Sequence, residues 1–548
     1  MKKIIFTALA AGMPLMLFAQ GAINAYQISQ NELRGTARFM SMGGAFGALG
    51  GDLSTMRQNP AGIGVYRRSE VGLTLDIDIQ GSKFMSMGQS ANSSQTKVAC
   101  DNFGYVGAVR LDNDLMPYFQ WGVSYGRAMS FDRLYKGAIP SMATSMSNYV
   151  ANFSNGNSMT SLIGDENYDP FFDSEVSWMS ALAANTYMIN PVGANPDPNA
   201  QTNYSGLFGS ASSGDATVNV RERGYIDEYT INFGGNFANM VYWGLGFGIT
   251  DLSFTQDSYY DESISNARIV NQDGNGISAV PGSAYFGLDN YQSVSGTGFN
   301  VKFGLIFKPV NEFRLGFAVH SPTWYSLTYN TNAWVDYDYA GYNPANSQDY
   351  YYTNMPSVSS DYYDNPYATT GQGYFDAKIR TPWRFMVSAA GVIGGRAILS
   401  ADYEYEAYDK MTVGDAYGTF DDVTGDIKTY YQPTNTLRLG AEFRVTPQLS
   451  LRAGYSYKSS PVKQAAYDNQ EYIYTTFTNP MYTFDNSIQY VTCGIGYRFG
   501  GFYVDAAYVH KHRESRWSAF SQFDGNEVPS AKITDNNNHI VMSVGYKF

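Results

Sequence analysis

Fourteen stretches of this chain place an apolar residue at every second position, and the links between them alternate short and long. A period of two is a β-strand with one apolar and one polar face. "EVGLTLDIDI" sets Val71, Leu73, Leu75, Ile77 and Ile79 against Glu70, Gly72, Thr74, Asp76 and Asp78. "FNVKFGLIF" stacks Phe299, Val301, Phe303, Leu305 and Phe307. The last stretch runs to the final residue, with Ile540, Met542, Val544, Tyr546 and Phe548 on one face. Short links such as "DNDLM", "PVNE", "VTPQ" and "GG" alternate with long ones at 80–97, 132–222, 257–293, 331–374, 410–432, 460–486 and 513–535. Short turns at one end and long loops at the other are the signature of an up-and-down membrane barrel. A soluble sandwich need not segregate its loops in this way. The expectation is an all-β, transmembrane antiparallel β-barrel of about 14 strands over 66–548, with extracellular loops at 132–222, 257–293 and 331–374. An even strand number places both termini in the periplasm, in the outer membrane of a Gram-negative bacterium.

The apolar face is expected to meet lipid, because a charge at bilayer depth costs several kcal/mol. The other face carries Asp402, Glu404, Arg438, Glu442, Arg444, Arg452 and Lys458, which can pair across neighbouring strands and brace a wet wall. Aromatics make up 16% and charged residues 16% of the chain, as two-faced strands and wide loops require. A net charge of -13 argues against nucleic acid as a partner. Cys100 and Cys493 read as small apolar residues with no bridge expected. The start, "MKKIIFTALAAGMPLMLFAQ", reads as a signal peptide over 1–19, with a basic n-region, an apolar h-region and Ala19 at the cut.

Residues 20–65 do not alternate. A barrel of this width is not filled by its own side chains, so this segment is expected to act as an internal hatch. Its glycines, Gly44-x-x-Gly47-x-x-Gly50, lack the spacing, the preceding strand and the lysine of a phosphate loop. "GTARFMSMGGAFGALGGDLSTMRQNPAGI" resembles the N-terminal hatch of the FadL/OmpP1/TodX family of outer-membrane transporters for hydrophobic compounds. The match rests on Asn59-Pro60-Ala61, the upstream "GGAF" and Asp52. "RLGFAVHSP", "DYEY", "TLRLGAEFRVTPQLSLRAGYSYKSSPV" and "YVDAAY" extend it along the strands, while the loops match poorly.

The resemblance implies a monomeric transporter of hydrophobic, long-chain fatty acid-like molecules. A ligand would land on apolar loops, enter an apolar pocket, shift the hatch and leave sideways into the membrane. It implies hatch packing by Gly43, Gly44, Phe46 and Gly47, a hinge at Asn59-Pro60-Ala61 and ligand contact by Phe39 and Met42. By analogy it also implies a wall opening at a glycine or bulge in the third strand, where "YGRAM" stands at 125–129. Residues 173–190 fit an outer landing helix, capped by Asp173 or Ser174 and presenting Trp178, Met179 and Leu182; packing against its own loop explains the same pattern. The expected partners are a hydrophobic small molecule and the lipids of the outer membrane, and no cofactor is expected.

Three rival functions stand against this reading. An enzyme needs a nucleophile beside a base, and the four histidines stand near no G-x-S-x-G elbow. A haemin receptor would draw on His510, His512 and His539, but strand parity turns the first two outward and the third inward. Some relatives carry the haemin-receptor label. A non-transport scaffold or shuttle partner in secretion would use the Tyr- and Asp-rich loop at 331–374.

Overall fold

The computed structural model describes residues 21–548 apart from 112, 166, 174–175, 194–195, 273–276, 344–347, 353–357, 360–372, 469, 471–472, 474 and 476–477. The signal-peptide segment lies outside the described residues. Fourteen antiparallel strands close on themselves: β1 (Glu70–Ser86), β2 (Gln89–Arg110), β3 (Tyr118–Ser130), β4 (Ser213–Phe237), β5 (Val241–Gln272), β6 (Ile277–Val310), β7 (Phe313–His320), β8 (Arg384–Ile393), β9 (Ala397–Glu406), β10 (Thr434–Arg444), β11 (Leu449–Lys458), β12 (Tyr482–Phe499), β13 (Phe502–Ser518) and β14 (Ser530–Lys547).

The last alternating stretch closes the barrel against the first. β14 pairs with β1 from Lys547 opposite Glu70 up to Lys532 opposite Met85. Phe548 and Ser69 exchange backbone hydrogen bonds of 3.0 and 3.1 Å, and Lys547 Nζ meets Glu70 at 2.8 Å. Tyr546, Phe502, Phe499 and Phe548 stack at ring separations of 4.5 to 5.8 Å beside this rim, an aromatic girdle of the kind that anchors a barrel at a membrane interface.

Strand parity sorts the residues as chemistry requires. Leu73, Leu75, Ile77, Phe303, Leu305, Leu439 and Val544 are exposed on the outside, as is Cys493. Such a wide apolar outer face needs lipid around it. Inward, Glu404 bridges Arg384 and Arg438 at 2.8 and 3.1 Å, and Arg452 bridges Glu442 and Asp505 at 2.7 and 2.6 Å. Arg444 departs from the expected set: it is exposed at the short-turn rim.

The long links differ more. Residues 257–293 were expected as loop, yet β5 and β6 pair through them almost to their tips, opposite Gln272 and Ile277. In 331–374 the described part of Trp324–Asn343 is strand, paired with the upper half of β6 from Trp324 opposite Phe299. Within 132–222, Arg133–Ile139 pairs with β4. Above the bilayer these ribbons keep their ladders because main-chain pairing does not depend on which solvent wets the faces.

A dome caps this end, with α4 (Met146–Ser154) and α5 (Trp178–Asn185) on one side and α6 (Asp421–Tyr430) on the other. α5 is shorter than the expected helix. Ser177 stands at its N-cap, and Asp173 instead ends the short turn Pro170–Phe172.

Candidate functional site

Residues 22–65 lie inside the barrel, as α1 (Ala22–Ser29), α2 (Ala37–Ser41), α3 (Thr55–Gln58) and the tight turn Pro60–Val65. α1 reaches the long-loop half of the lumen, where Tyr26 stacks on Tyr431 of the dome at 4.9 Å. The first described residues are therefore inside the lumen, not at the rim where the chain ends.

Asn59 fixes the lower part of this segment. Its Nδ2 donates to the Gly47 carbonyl at 2.6 Å, and its Oδ1 accepts from Ala61 N at 3.1 Å, capping the turn that Pro60 begins. The wall is hollowed to receive it. Gly234, Gly244 and Gly304 stand in one row across β4, β5 and β6. A Cβ on Gly304 would lie 1.9 Å from Asn59 Oδ1, and one on Gly244 would lie 2.1 Å from the Pro60 carbonyl oxygen. On the opposite wall Gly440 pairs with Gly454, against Met42 and Gly43. Gly43 itself has φ +61, a left-handed backbone that favours glycine. Gly47 N donates to Asp402 at 2.9 Å, and His320 Nε2 donates to the Gln58 carbonyl at 2.7 Å. Phe46 is fully buried, 5.6 Å from the ring of Phe39. Sequence reasoning missed the wall glycines, because only the strand register brings these inward-facing positions to one height.

Higher up, the segment is held by charge. Arg34 meets Glu32, Asp76, Asp78 and Asp101 at 2.9, 3.0, 3.2 and 3.1 Å. Lys511 also pairs with Glu32. Burial alone would raise Glu32, but Lys511 and Arg34 outweigh it and hold the carboxyl well below its usual range.

Above this ion cluster lies an open-mouthed cavity of about 90 Å3 between α1, β3, β4 and β13. Its lining is mixed: Met129, Phe131, Tyr135 and Trp517 stand with Arg34, Glu222, Arg513 and Asp535. The expected pocket was apolar, and the one observed is largely polar and charged. Inward parity above the hatch supplies the charges, because those positions face water and not lipid.

The wall beside the cavity is interrupted. β2 and β3 pair only up to Asn102 opposite Gly126. β3 then bulges between Arg127 and Met129, inside the "YGRAM" stretch, and its continuation follows β4. The rest of β2 has no partner on that side among the described residues. Val98, opposite Ile77 and exposed like it, shows that the interruption starts within the apolar band. Lys97 bridges it to Asp132 at 3.2 Å, and behind it Tyr135 stacks on Phe84 at 6.5 Å.

No family model matches the chain, and neither does any curated protein. Among solved structures, a Pseudomonas aeruginosa FadL homologue superposes with a TM-score of 0.50 at 15% identity, over 95% of this chain and 100% of its own. The chain has the FadL-type fold. The Pseudomonas putida toluene transporter TodX (12% identity, TM-score 0.47, 94% of this chain and 99% of that one) and the Ralstonia pickettii toluene transporter TbuX (12%, 0.44, 94% and 99%) are also similar.

In this FadL-type barrel the other residues singled out from sequence are scattered. Met42 is fully buried between hatch and wall, while Phe39 is nearly so, beside a small lumen cavity. Trp178, Met179 and Leu182 are buried in the dome. His510 and His512 bond Asn538 and Asn536 at 2.9 and 2.8 Å, whereas His539 points inward to Asp76 at 2.8 Å. The three rings do not converge on one centre.

Proposed function

We propose that this chain is an outer-membrane transporter that carries hydrophobic small molecules through the barrel and releases them sideways, between β2 and β3. The observation that carries this reading is the interrupted ladder above Asn102 and Gly126, set beside a lumen cavity and above a floor packed with hatch. A molecule descending from the dome meets the closed hatch below and an unpaired strand edge beside it. An apolar body gains about 25 cal/mol for each Å2 it withdraws from water, so exit into lipid is downhill. The Asn59-Pro60-Ala61 turn serves as the point on which the hatch pivots. Replacing Pro60 with Gly should alter uptake; unchanged uptake of every hydrophobic substrate would remove the pivot.

The direct test is equilibrium binding to the purified barrel in lipid nanodiscs, with empty nanodiscs as control. Saturable binding of a twelve-carbon chain compound, with none for glucose, is expected. Equal responses from loaded and empty discs would overturn the reading.

A further inference from the structure

The cavity above the hatch does not have the lining that a bare hydrocarbon or a carboxylate-headed chain would select. Four buried polar groups in its wall lack a hydrogen-bond partner among the described residues: Arg133 Nε, Ser258 Oγ, Gln292 Nε2 and Trp517 Nε1. Their residues are 7%, 4%, 7% and 0% exposed. A buried donor without an acceptor is costly, and native interiors rarely leave four around one space. Three of the four can only donate, and the hydroxyl can donate as well. They are supplied by different elements: the continuation of β3, β5, β6 and β13.

The fixed charges say what sort of acceptor fits. Glu32, Asp78, Asp132, Glu222, Asp485 and Asp535 line the space, against Arg34, Arg133, Lys511 and Arg513. The cations are already paired. Arg513 and Arg133 both hold Asp535, at 2.9 and 2.8 Å, and Arg34 and Lys511 both hold Glu32. Glu222 receives only amide donors, from Gln256 at 3.1 Å and Gln27 at 3.4 Å. It lies beyond the apolar band of β4, and burial raises its carboxyl above the usual range. An incoming carboxylate would meet a surplus of negative charge and no free cation. A permanent cation would suit Glu222 but leave three N–H groups unanswered. An uncharged head rich in oxygen satisfies both conditions, and Met129, Phe131, Tyr135 and Trp517 offer surface to an apolar tail.

We infer that the lumen cavity is a binding site for amphiphiles with an uncharged, oxygen-rich head, such as an ester or polyol, in preference to free carboxylates. This rests on the transport reading and narrows its cargo class.

The test uses the full barrel in nanodiscs and four ligands with twelve-carbon chains: 1-dodecanoylglycerol, dodecanoate, dodecyltrimethylammonium and dodecane. Satisfying one buried donor is expected to favour 1-dodecanoylglycerol over dodecane by about tenfold in Kd, and the surplus of carboxylates around the cavity is expected to favour it over dodecanoate as well. Gln292→Leu and, separately, Ser258→Ala should each remove most of the preference over dodecane while leaving dodecane binding itself unchanged. Heat-modifiable migration on a gel shows that each variant is folded. Dodecanoate or dodecyltrimethylammonium binding as tightly as the glycerol ester would overturn the inference while leaving transport standing. So would a preference that survives both substitutions, since ordered water would then satisfy the donors. Binding of none of the four would overturn the transport reading, and the inference with it.

Discussion

Asn59 uses both ends of its amide, one to tie Gly47 and one to cap the turn at Ala61. Asn59→Ala strands the buried Gly47 carbonyl, at a cost of about 1–3 kcal/mol. The barrel has its own ladders and should still fold, while the hatch loosens. Planar-bilayer recordings should therefore show ion leak through Asn59→Ala and none through the wild type. Glu262 makes a second point at this scale. It lies on the extended part of β5, beyond the last exposed apolar residue of that strand, Ile249. It accepts from Met146 N at 2.8 Å and Tyr260 at 2.7 Å, and Ser145 also bonds it, so it holds the start of α4. Burial pushes its carboxyl up to about 7. A raised carboxyl stabilises the folded form most below its unfolded value near pH 4.5, and that stabilisation is lost as pH rises towards 7. Hydrogen-exchange protection of Met146–Ser154, corrected for intrinsic rate, should fall by up to about tenfold per pH unit across that window and level off above it. Glu262→Gln should flatten the profile.

At the scale of the element, hatch and wall are shaped for each other. The row Gly234–Gly244–Gly304 leaves the space that Asn59, Pro60 and Ile63 occupy. Gly304→Ala places a methyl against Asn59 Oδ1 and should give the same leak as Asn59→Ala. Gly391, two strands away from β6 in β8, has Glu312 O at 3.9 Å as the nearest contact of its Cβ position, so Gly391→Ala should stay silent in the same recordings. Two-residue alternation made the lipid-facing parity readable, from Leu73 to Val544, because lipid punishes every error on that face. The inner face carries no such constraint. A glycine there fits a bend, a bulge or a close approach equally well, so the receiving row was illegible before the register was known. The same limit hid the ribbons at 257–293. Their residues, such as Asp257, Tyr259 and Asp261, are polar enough on the outer face to read as loop, and only cross-strand pairing keeps them extended. The bulge in "YGRAM" was legible only through resemblance, since nothing local to Tyr125–Met129 specifies which neighbour the strand abandons.

Three features combine in the whole molecule: a floor of hatch held by glycine rows and by Arg34, a mixed cavity above it, and a wall whose ladder stops within the apolar band. The apolar pocket inferred from resemblance gave way to a lining with Arg513, Asp535 and Glu222, so the interrupted ladder, not the pocket, is the feature on which the proposed hydrophobic cargo rests. Lys97 and Asp132 bridge that interruption at 3.2 Å. Cysteines at both positions, in a Cys100→Ser, Cys493→Ala background, can be joined by a short bis-maleimide, with a monofunctional maleimide as control. The measurement is uptake of 1-dodecanoylglycerol and of dodecane into outer-membrane vesicles. If molecules leave between β2 and β3, the bridged protein should lose at least about tenfold in rate while the singly modified protein keeps its activity. Unimpaired uptake by the bridged protein would contradict lateral release and send the cargo through the hatch.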